Sequence, residues 1–313
     1  MKSYLKIVRP LNLLIMAATM FLMRYCVIRP FLEYNHLHLQ VPLPDFVLLV
    51  VTTLLIAAGG YVINDYYDIK ADMVNKDCGS IIVGTGMTLK EAMRYYIALT
   101  FSGFATGLWF SLSMGDWNFF TLFLLIGGLL WFYSTTYKAM ILVGNLLVSV
   151  LIALVPLLVI VFEMLKFKEN FPHLIENGEI NYMPIFYFVF AFSAFAFLTN
   201  LIREIAKDIQ DIKGDRKAGK KTFPVWAGFV KAKVLVSVLL VIEVVVLYGV
   251  YYRFLRDDYS LYYLTLAVAF PLLYALYKSL TANREKDFGH VASVLKWTMT
   301  GGMGYAFIIC LQL

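Results

Sequence analysis

The sequence predicts an all-α integral membrane protein: nine transmembrane helices around a central cavity, with the N-terminus in the cytoplasm. Three observations carry that prediction. The chain is 61% hydrophobic and 15% charged, with a mean hydropathy of +0.74, whereas a soluble domain is roughly 45–50% apolar and about 25% charged. Its apolar residues fall into nine stretches that approach the ~20 residues a span needs. One acidic spacing, Asp-x-x-Asp-x-x-x-Asp, occurs twice, each time where a membrane-length stretch ends. Two such acidic faces in equivalent places point to one shared cavity.

In chain order, the expected spans are 11–29, 44–66, 92–113, 117–137, 141–163, 183–204, 232–254, 259–281 and 289–311. Lys2, Lys6 and Arg9 before an apolar run resemble a signal peptide. That run continues to Ile28, too long for a typical signal core, so it reads as a retained first helix. The second span runs into Asn64-Asp65-Tyr66-Tyr67-Asp68-Ile69-Lys70-Ala71-Asp72. If the helix continues through this stretch, its acids share one face. Thr88 with Glu91 reads as a capping box that starts the third span. The glycine-rich Gly79–Gly86 before it lacks the Gly-Lys-Ser/Thr of a phosphate-binding loop and reads as a flexible connection. A tight turn near Lys138 makes spans four and five antiparallel neighbours. The sixth span leads into Asp208, Asp211 and Asp215, surrounded by Arg203, Lys207, Lys213, Arg216, Lys217, Lys220 and Lys221. Residues 223–233 form a short amphipathic piece before span seven, and Asp257 and Asp258 mark a solvated turn before span eight. Lys296 lies inside the ninth; a cation there is costly, and snorkelling to the interface is its simplest account. The chain reads as one domain, 1–313, with two acidic halves of about 1–140 and 141–313.

Most of the 27 basic residues fall in loops on the side of the N-terminus, which puts that side in the cytoplasm. Arg24, Arg29, Lys166, Lys168, Arg253 and Arg256 fall outside. Both acidic motifs then face the cytoplasm, in a bacterial or archaeal cytoplasmic membrane. The net charge of +6 belongs to these loops and does not indicate nucleic acid. Cys26, Cys78 and Cys310 show no metal-ligand spacing and no disulfide framework. Nothing in the chain implies a protein partner beyond the membrane lipid around it.

Three carboxylates on one helical face repel unless a cation sits between them. Hard cations such as Mg2+ take oxygen ligands and bridge carboxylates to phosphates. The interleaved bases suit the phosphate oxygens that the ions leave free. With an aromatic-rich apolar interior, this pattern implies a substrate with a diphosphate head and a hydrocarbon tail. Metal and bases would stabilise the departing diphosphate. Tyr and Phe faces would stabilise the allylic cation. The expected reaction is metal-assisted prenyl transfer.

These residues resemble a known family. Asn64–Asp72 looks like the first signature of the UbiA superfamily of intramembrane prenyltransferases, and Arg203-Glu204-Ile205-Ala206-Lys207-Asp208-Ile209-Gln210-Asp211 with Gly214-Asp215 looks like the second. Val8-Arg9-Pro10-Leu11-Asn12 resembles the family's N-terminal opening, and Gly144-Asn145 its fifth span. The resemblance implies Mg2+ held by both motifs and a polyprenyl diphosphate donor. By matching positions, Asn64, Asp65, Asp68 and Asp72 would serve one metal, and Asp208, Asp211 and Asp215 the other. Asp65, Asp68, Asp72, Asp208 and Asp211 would carry catalysis. Asn12, Lys138, Asn145, Arg203 and Lys207 would contact substrate. The chain departs from the family after the first motif, where Asn75-Lys76-Asp77-Cys78-Gly79-Ser80 replaces the usual Asn-Lys-Pro-x-Arg-Pro. Lys76 is the candidate substitute for the missing Arg. The second motif looks most like the branch that prenylates geranylgeranylglyceryl phosphate. An aromatic or chlorin acceptor is the alternative. A terpene cyclase, a binding protein without catalysis and an ion-coupled transporter are the other readings.

Overall fold

A computed structural model of the chain describes residues 2–75, 81–176 and 183–312. Lys76 therefore lies outside the described residues. The described chain is helical: α1 Lys2–Ile7, α2 Pro10–Tyr34, α3 Leu43–Tyr67, α4 Ile69–Asn75, α5 Leu89–Ser113, α6 Phe119–Thr135 and α7 Val143–Asn170. After α8 Pro172–Glu176 come α9 Met183–Gln210, α10 Ile212–Lys217, α11 Phe223–Ala227, α12 Phe229–Leu255, α13 Asp258–Thr281 and α14 Glu285–Gln312.

Seven of these, α2, α3, α7, α9, α12, α13 and α14, are long and apolar enough to cross a bilayer, and the protein is a multi-pass membrane protein. The stretches expected as spans three and four are also helices. However, α5 begins with Lys90, Glu91 and Arg94 and carries several hydroxyl residues, and α6 has 17 residues. The observed helices overrun several sequence boundaries. The first continues past 29 to Tyr34, the fifth past 163 to Asn170, and the sixth past 204 to Gln210. An apolar count stops at the first charges, whereas backbone hydrogen bonding continues into the polar interface.

α3 packs along α5, and α9 packs between α7 and α14. Thr52 and Thr106 hydrogen-bond across the α3–α5 seam at 2.9 Å, a polar contact of the kind that joins helices in lipid. The main core is aliphatic, with an aromatic knot at the end away from the acidic motifs. There Phe110 meets Phe162 edge-on with ring centres 4.8 Å apart, a geometry favoured by the ring quadrupoles. A smaller apolar cluster lies at the motif end and contains Ile7, Val8, Val62, Val83 and Met87. It corrects the expectation of a flexible glycine-rich connection for the described part, Ile81 to Met87. Burial of Val83 and Met87, with backbone bonds from Gly86 and Met87 to the Ile82 carbonyl, folds it into an ordered turn. The Thr88–Glu91 capping box is present, with the Thr88 N–H donating to Glu91 at 2.8 Å.

Candidate active site

Each acidic motif breaks its helix at the middle acid. α3 stops at Tyr67, Asp68 takes φ −84° and ψ −4°, and α4 resumes at Ile69. α9 stops at Gln210, Asp211 takes φ −96° and ψ 7°, and α10 resumes at Ile212. The uninterrupted helical face expected from spacing is thus replaced by two helix pairs. The turn bonds nevertheless carry across, with the Asp72 N–H on the Asp68 carbonyl at 2.9 Å and the Asp215 N–H on the Asp211 carbonyl at 3.0 Å. The acids of each motif therefore stay one turn apart.

Asn75 joins the two motifs. Its amide donates to the Asp211 carbonyl at 3.1 Å and accepts from the Gly214 N–H at 2.8 Å. A Cβ on Gly214 would stand 2.3 Å from Asn75 Nδ2, so only glycine admits this contact. A second close approach sets Lys138, where a Cβ on Gly144 would lie 2.7 Å from the Lys138 Cα. The glycine at the start of α7 lets the Tyr137–Ala139 turn press against it and turns Lys138 inward.

Lys138 donates to Asn64 Oδ1 at 2.9 Å and forms an ion pair with Asp68 Oδ2. Lys220 bridges the motifs, lying 2.8 Å from Asp68 Oδ1 and 3.3 Å from Asp215 Oδ1. Burial opposes charge on Asp68, but Lys138 and Lys220 outweigh it and hold its carboxyl well below the usual carboxylate range. Asp215 is shifted the other way: burial pushes it up, and the pull of Lys220 and Lys138 only offsets part of this. Burial also opposes charge on Lys138, and Asp68 reverses that, raising its pKa. Asp65 is bound by Arg9 at 2.7 Å, whose guanidinium also lies 4.9 Å above the Tyr61 ring. Asn145 donates to Asp208 at 2.8 Å. Glu204 takes Arg203 at 2.8 Å and Lys207 at 2.9 Å.

These groups surround a cavity of 680 Å³. Of the residues expected from sequence, Asn12, Asn64, Asp68, Asp72, Lys138, Arg203, Lys207, Asp208 and Asp211 line it. Asp65, Asn145 and Asp215 stand behind the wall and hold liners or their counter-charges. The rest of the wall is apolar and aromatic, including Tyr61, Phe123, Leu130 and Tyr133. A smaller chamber of 140 Å³ adjoins it, sharing Asn12, Tyr61, Arg203 and Lys296. Lys296 thus lines both spaces, and snorkelling to the interface, its simplest account from sequence, is replaced by a place on the cavity wall.

Sequence reading did not single out Arg9, Asn75, Glu204 or Lys220 as site residues, although Lys220 stood among the interleaved bases of the second motif. For Lys220 a signal existed: its backbone N–H bonds the Asp215 carbonyl at 2.9 Å, a return that the five-residue spacing and Gly219, at φ +76°, make available. The others depend on tertiary contacts that no local pattern encodes.

The donor set fits a hard divalent cation: carboxylate and amide oxygens, with no thiol or imidazole among the cavity residues. Among the described residues, no three acidic, His or Cys side chains stand close enough together to form a ready-made ion cage. The reason is visible in the pairing, because lysine and arginine heads take up the carboxylate oxygens.

A family model described as the UbiA prenyltransferase family matches residues 36–298. Digeranylgeranylglyceryl phosphate synthase of Methanobrevibacter smithii is 27% identical over 98% of this chain and 96% of its own. The enzyme of the same name from Methanosphaera stadtmanae is 29% identical, over 98% of this chain and 97% of its own. A solved structure of a digeranylgeranylglyceryl phosphate synthase superposes with a TM-score of 0.65 at 21% identity, covering 100% of this chain and 99% of its own. A UbiA homologue from Archaeoglobus fulgidus bound to GPP and Mg2+ gives a TM-score of 0.64 at 19% identity, with 99% of each chain covered. With nearly the whole chain matched and both acidic motifs gathered on one cavity, the protein belongs to the UbiA prenyltransferase family and is a prenyl-transferring enzyme.

Proposed function

We propose that this enzyme transfers a prenyl group, in a Mg2+-dependent reaction, from a polyprenyl diphosphate such as geranylgeranyl diphosphate to a lipophilic acceptor, geranylgeranylglyceryl phosphate. The observation that carries this reading is the meeting of the two acidic motifs through Lys220 and Asn75 beside an apolar-walled cavity. The names of the two methanogen relatives favour this acceptor over an aromatic or chlorin one.

In this reading all nine long helices cross the membrane, the N-terminus and both motifs face the cytoplasm, and the chain works as one domain. Asn64, Asp65, Asp68 and Asp72, with Asp208, Asp211 and Asp215, serve the metal ions and catalysis. Bound Mg2+ would neutralise charge developing on the diphosphate as the C–O bond breaks. Lys138 and Lys220 hold Asp68 charged and in place before substrate arrives, and their flexible heads can follow the arriving anion. Arg203 and Lys207 supply charged donors for phosphate oxygens. Asn145 orients Asp208, and Arg9 orients Asp65. The Tyr133 and Tyr61 rings face the space where the allylic carbon becomes cationic. The apolar wall excludes water until the acceptor oxygen bonds to that carbon and gives up its proton to the departing diphosphate.

The test is a product assay on protein in nanodiscs, with Mg2+, geranylgeranyl diphosphate and either geranylgeranylglyceryl phosphate or a panel of aromatic acids, read by mass spectrometry. The expected product is the doubly prenylated glyceryl phosphate, lost in Asp68→Ala, in Asp208→Ala and with chelator. A prenylated aromatic acid would replace the acceptor. Ion-driven uptake into proteoliposomes with no product would replace the enzyme reading by the transporter.

A further inference from the structure

The larger cavity accounts for the acids and for most of the bases. Lys296 is left over. It lies partly buried on α14 where the two cavities join. Among the described residues no hydrogen bond or ion pair reaches its ammonium, and the charged groups that act on it are Arg203 and Arg9, both cations. Arg9 is already committed to Asp65, and Arg203 shares Glu204 with Lys207. Three of these four cations thus share two carboxylates, and Lys296 has neither. Beside it, Arg203 Nε is buried without a partner, and so is the Oδ1 of fully buried Asn200 on the small chamber's wall. Surplus positive charge with unused donors in a low-dielectric site calls for an anion.

The chamber behind Lys296 has a different character from the acidic cavity. Met16, Met23, Met299 and Met303 line it. Unbranched thioether side chains adapt to an irregular apolar occupant. At 140 Å³ it is about the size of a cavity that takes one benzene, so as shaped it holds roughly one isoprene unit, and the methionine side chains have the freedom to lengthen it.

We infer that Lys296 and Arg203 form the headgroup clasp of the acceptor: they hold the phosphomonoester of a prenylated glycerol, whose isoprenoid chain lies over the methionine chamber. This rests on the prenyl-transfer reading above and separates the two substrates. The donor's diphosphate belongs to the two acidic motifs, and the acceptor's phosphate belongs to the far side of Arg203. Asn200 Oδ1 accepts from the glycerol's one free hydroxyl, the group that becomes prenylated.

The test has a kinetic arm and a binding arm. In steady state, Lys296→Ala raises the acceptor KM about tenfold or more, the loss expected for a charged hydrogen bond, with donor KM and kcat little changed. Met299→Trp, which fills the chamber, moves the same constant in the same direction. A rise in donor KM with the acceptor KM fixed would move Lys296 to the diphosphate and overturn the inference, as would no change in either. Unchanged donor KM also shows that the variants are folded. The second arm needs no turnover. Labelled geranylgeranylglyceryl phosphate is bound to wild type and Lys296→Ala in nanodiscs, against unphosphorylated geranylgeranylglycerol and against phosphatidic acid. Wild type prefers the phosphorylated isoprenoid to both, and the variant loses its preference over the unphosphorylated form. Equal binding of phosphatidic acid would mark a general lipid-headgroup site instead. If wild type shows this preference but makes no product, the clasp stands and the prenyl-transfer reading fails.

Discussion

The protein buries charge at both ends, and the two ends are built on opposite plans. At the end away from the motifs, Arg24 and Glu163 are 3% and 1% exposed and stand 3.4 Å apart. Backbone closes this pair. Arg24 donates to the Val41 carbonyl at 2.5 Å, and Glu163 accepts from the Gln40 and Val41 N–H groups. Arg24 also lies 4.5 Å above the Phe46 ring. One cation, one anion and the backbone of one loop make up the set. At the motif end Asp68 and Glu204 are each met by two cations on flexible stems, and both acids border 680 Å³ of space. A counter-charge made of backbone cannot leave, whereas an ammonium head can. The first arrangement locks α2, α7 and the loop before α3 together. The second keeps Asp68 charged yet available.

The sharpest way to break this contrast is to unpair each end. Glu163→Ala leaves the Arg24 guanidinium buried with no counter-ion, a loss of about 3–5 kcal/mol. Thermal unfolding in detergent should show it as a large drop, with turnover per folded molecule unchanged. Arg24→Met added to Glu163→Ala should recover much of the loss, since an apolar pair replaces the stranded charge. If activity falls in step with stability, the clamp is not the purely structural device described here.

Asp208→Asn makes the opposite exchange. It keeps the shape and the contact with Asn145 but removes one carboxyl ligand from the cavity. Turnover should fall about a hundredfold or more, while the unfolding temperature stays near wild type. A stable, fully active Asp208→Asn enzyme would remove the second motif from the chemistry.

Gly214→Ala probes the joint between the motifs. The added methyl collides with Asn75, and the strain should cost about 1–3 kcal/mol. Because the collision parts α4 from α10, activity should fall as well, most clearly as a loss of affinity for Mg2+. The same substitution at Gly249, where a Cβ meets nothing, is the control.

The smallest effect concerns the two acids that share Lys220. Asp68 is held below the ordinary carboxylate range, so its contribution to stability is complete above about pH 4. It is lost only as pH falls through the lower, folded-state pKa. Asp215 is raised, so its charge costs stability at neutral pH, and that cost is relieved as pH falls through the folded value. Without metal, Asp68→Asn should therefore be less stable than wild type at pH 7 and stay so down to about pH 4. Asp215→Asn should be as stable as wild type or slightly more so at pH 7, with the advantage shrinking toward acid. Unfolding temperatures measured from pH 4 to 7.5 distinguish the two. Equal destabilisation by both substitutions would contradict the opposite shifts.

Features that depend on local pattern were legible before any tertiary contact. Hydropathy fixed the membrane class and the approximate helix positions, because burial in lipid requires long apolar runs whatever their neighbours are. The Thr88–Glu91 cap was legible because a capping box closes within one turn. The repeated acid spacing marked the site, since carboxylates on successive turns need a compensating charge. Only the tertiary structure decided which charge that is. Arg9 on Asp65, Lys220 across Asp68 and Asp215, and Asn75 on Gly214 join residues from distant segments, and no local periodicity constrains such pairs. The helix breaks at Asp68 and Asp211 were hidden for the same reason: they accompany the packing of α4 on α10, which is beyond the reach of either motif alone. Lys296 is the clearest case. From sequence it is a costly cation in a span, and snorkelling to the interface is its simplest account. The packing of α14 against α9 and α2 puts it on a cavity wall between two other cations, and that position gives it a use.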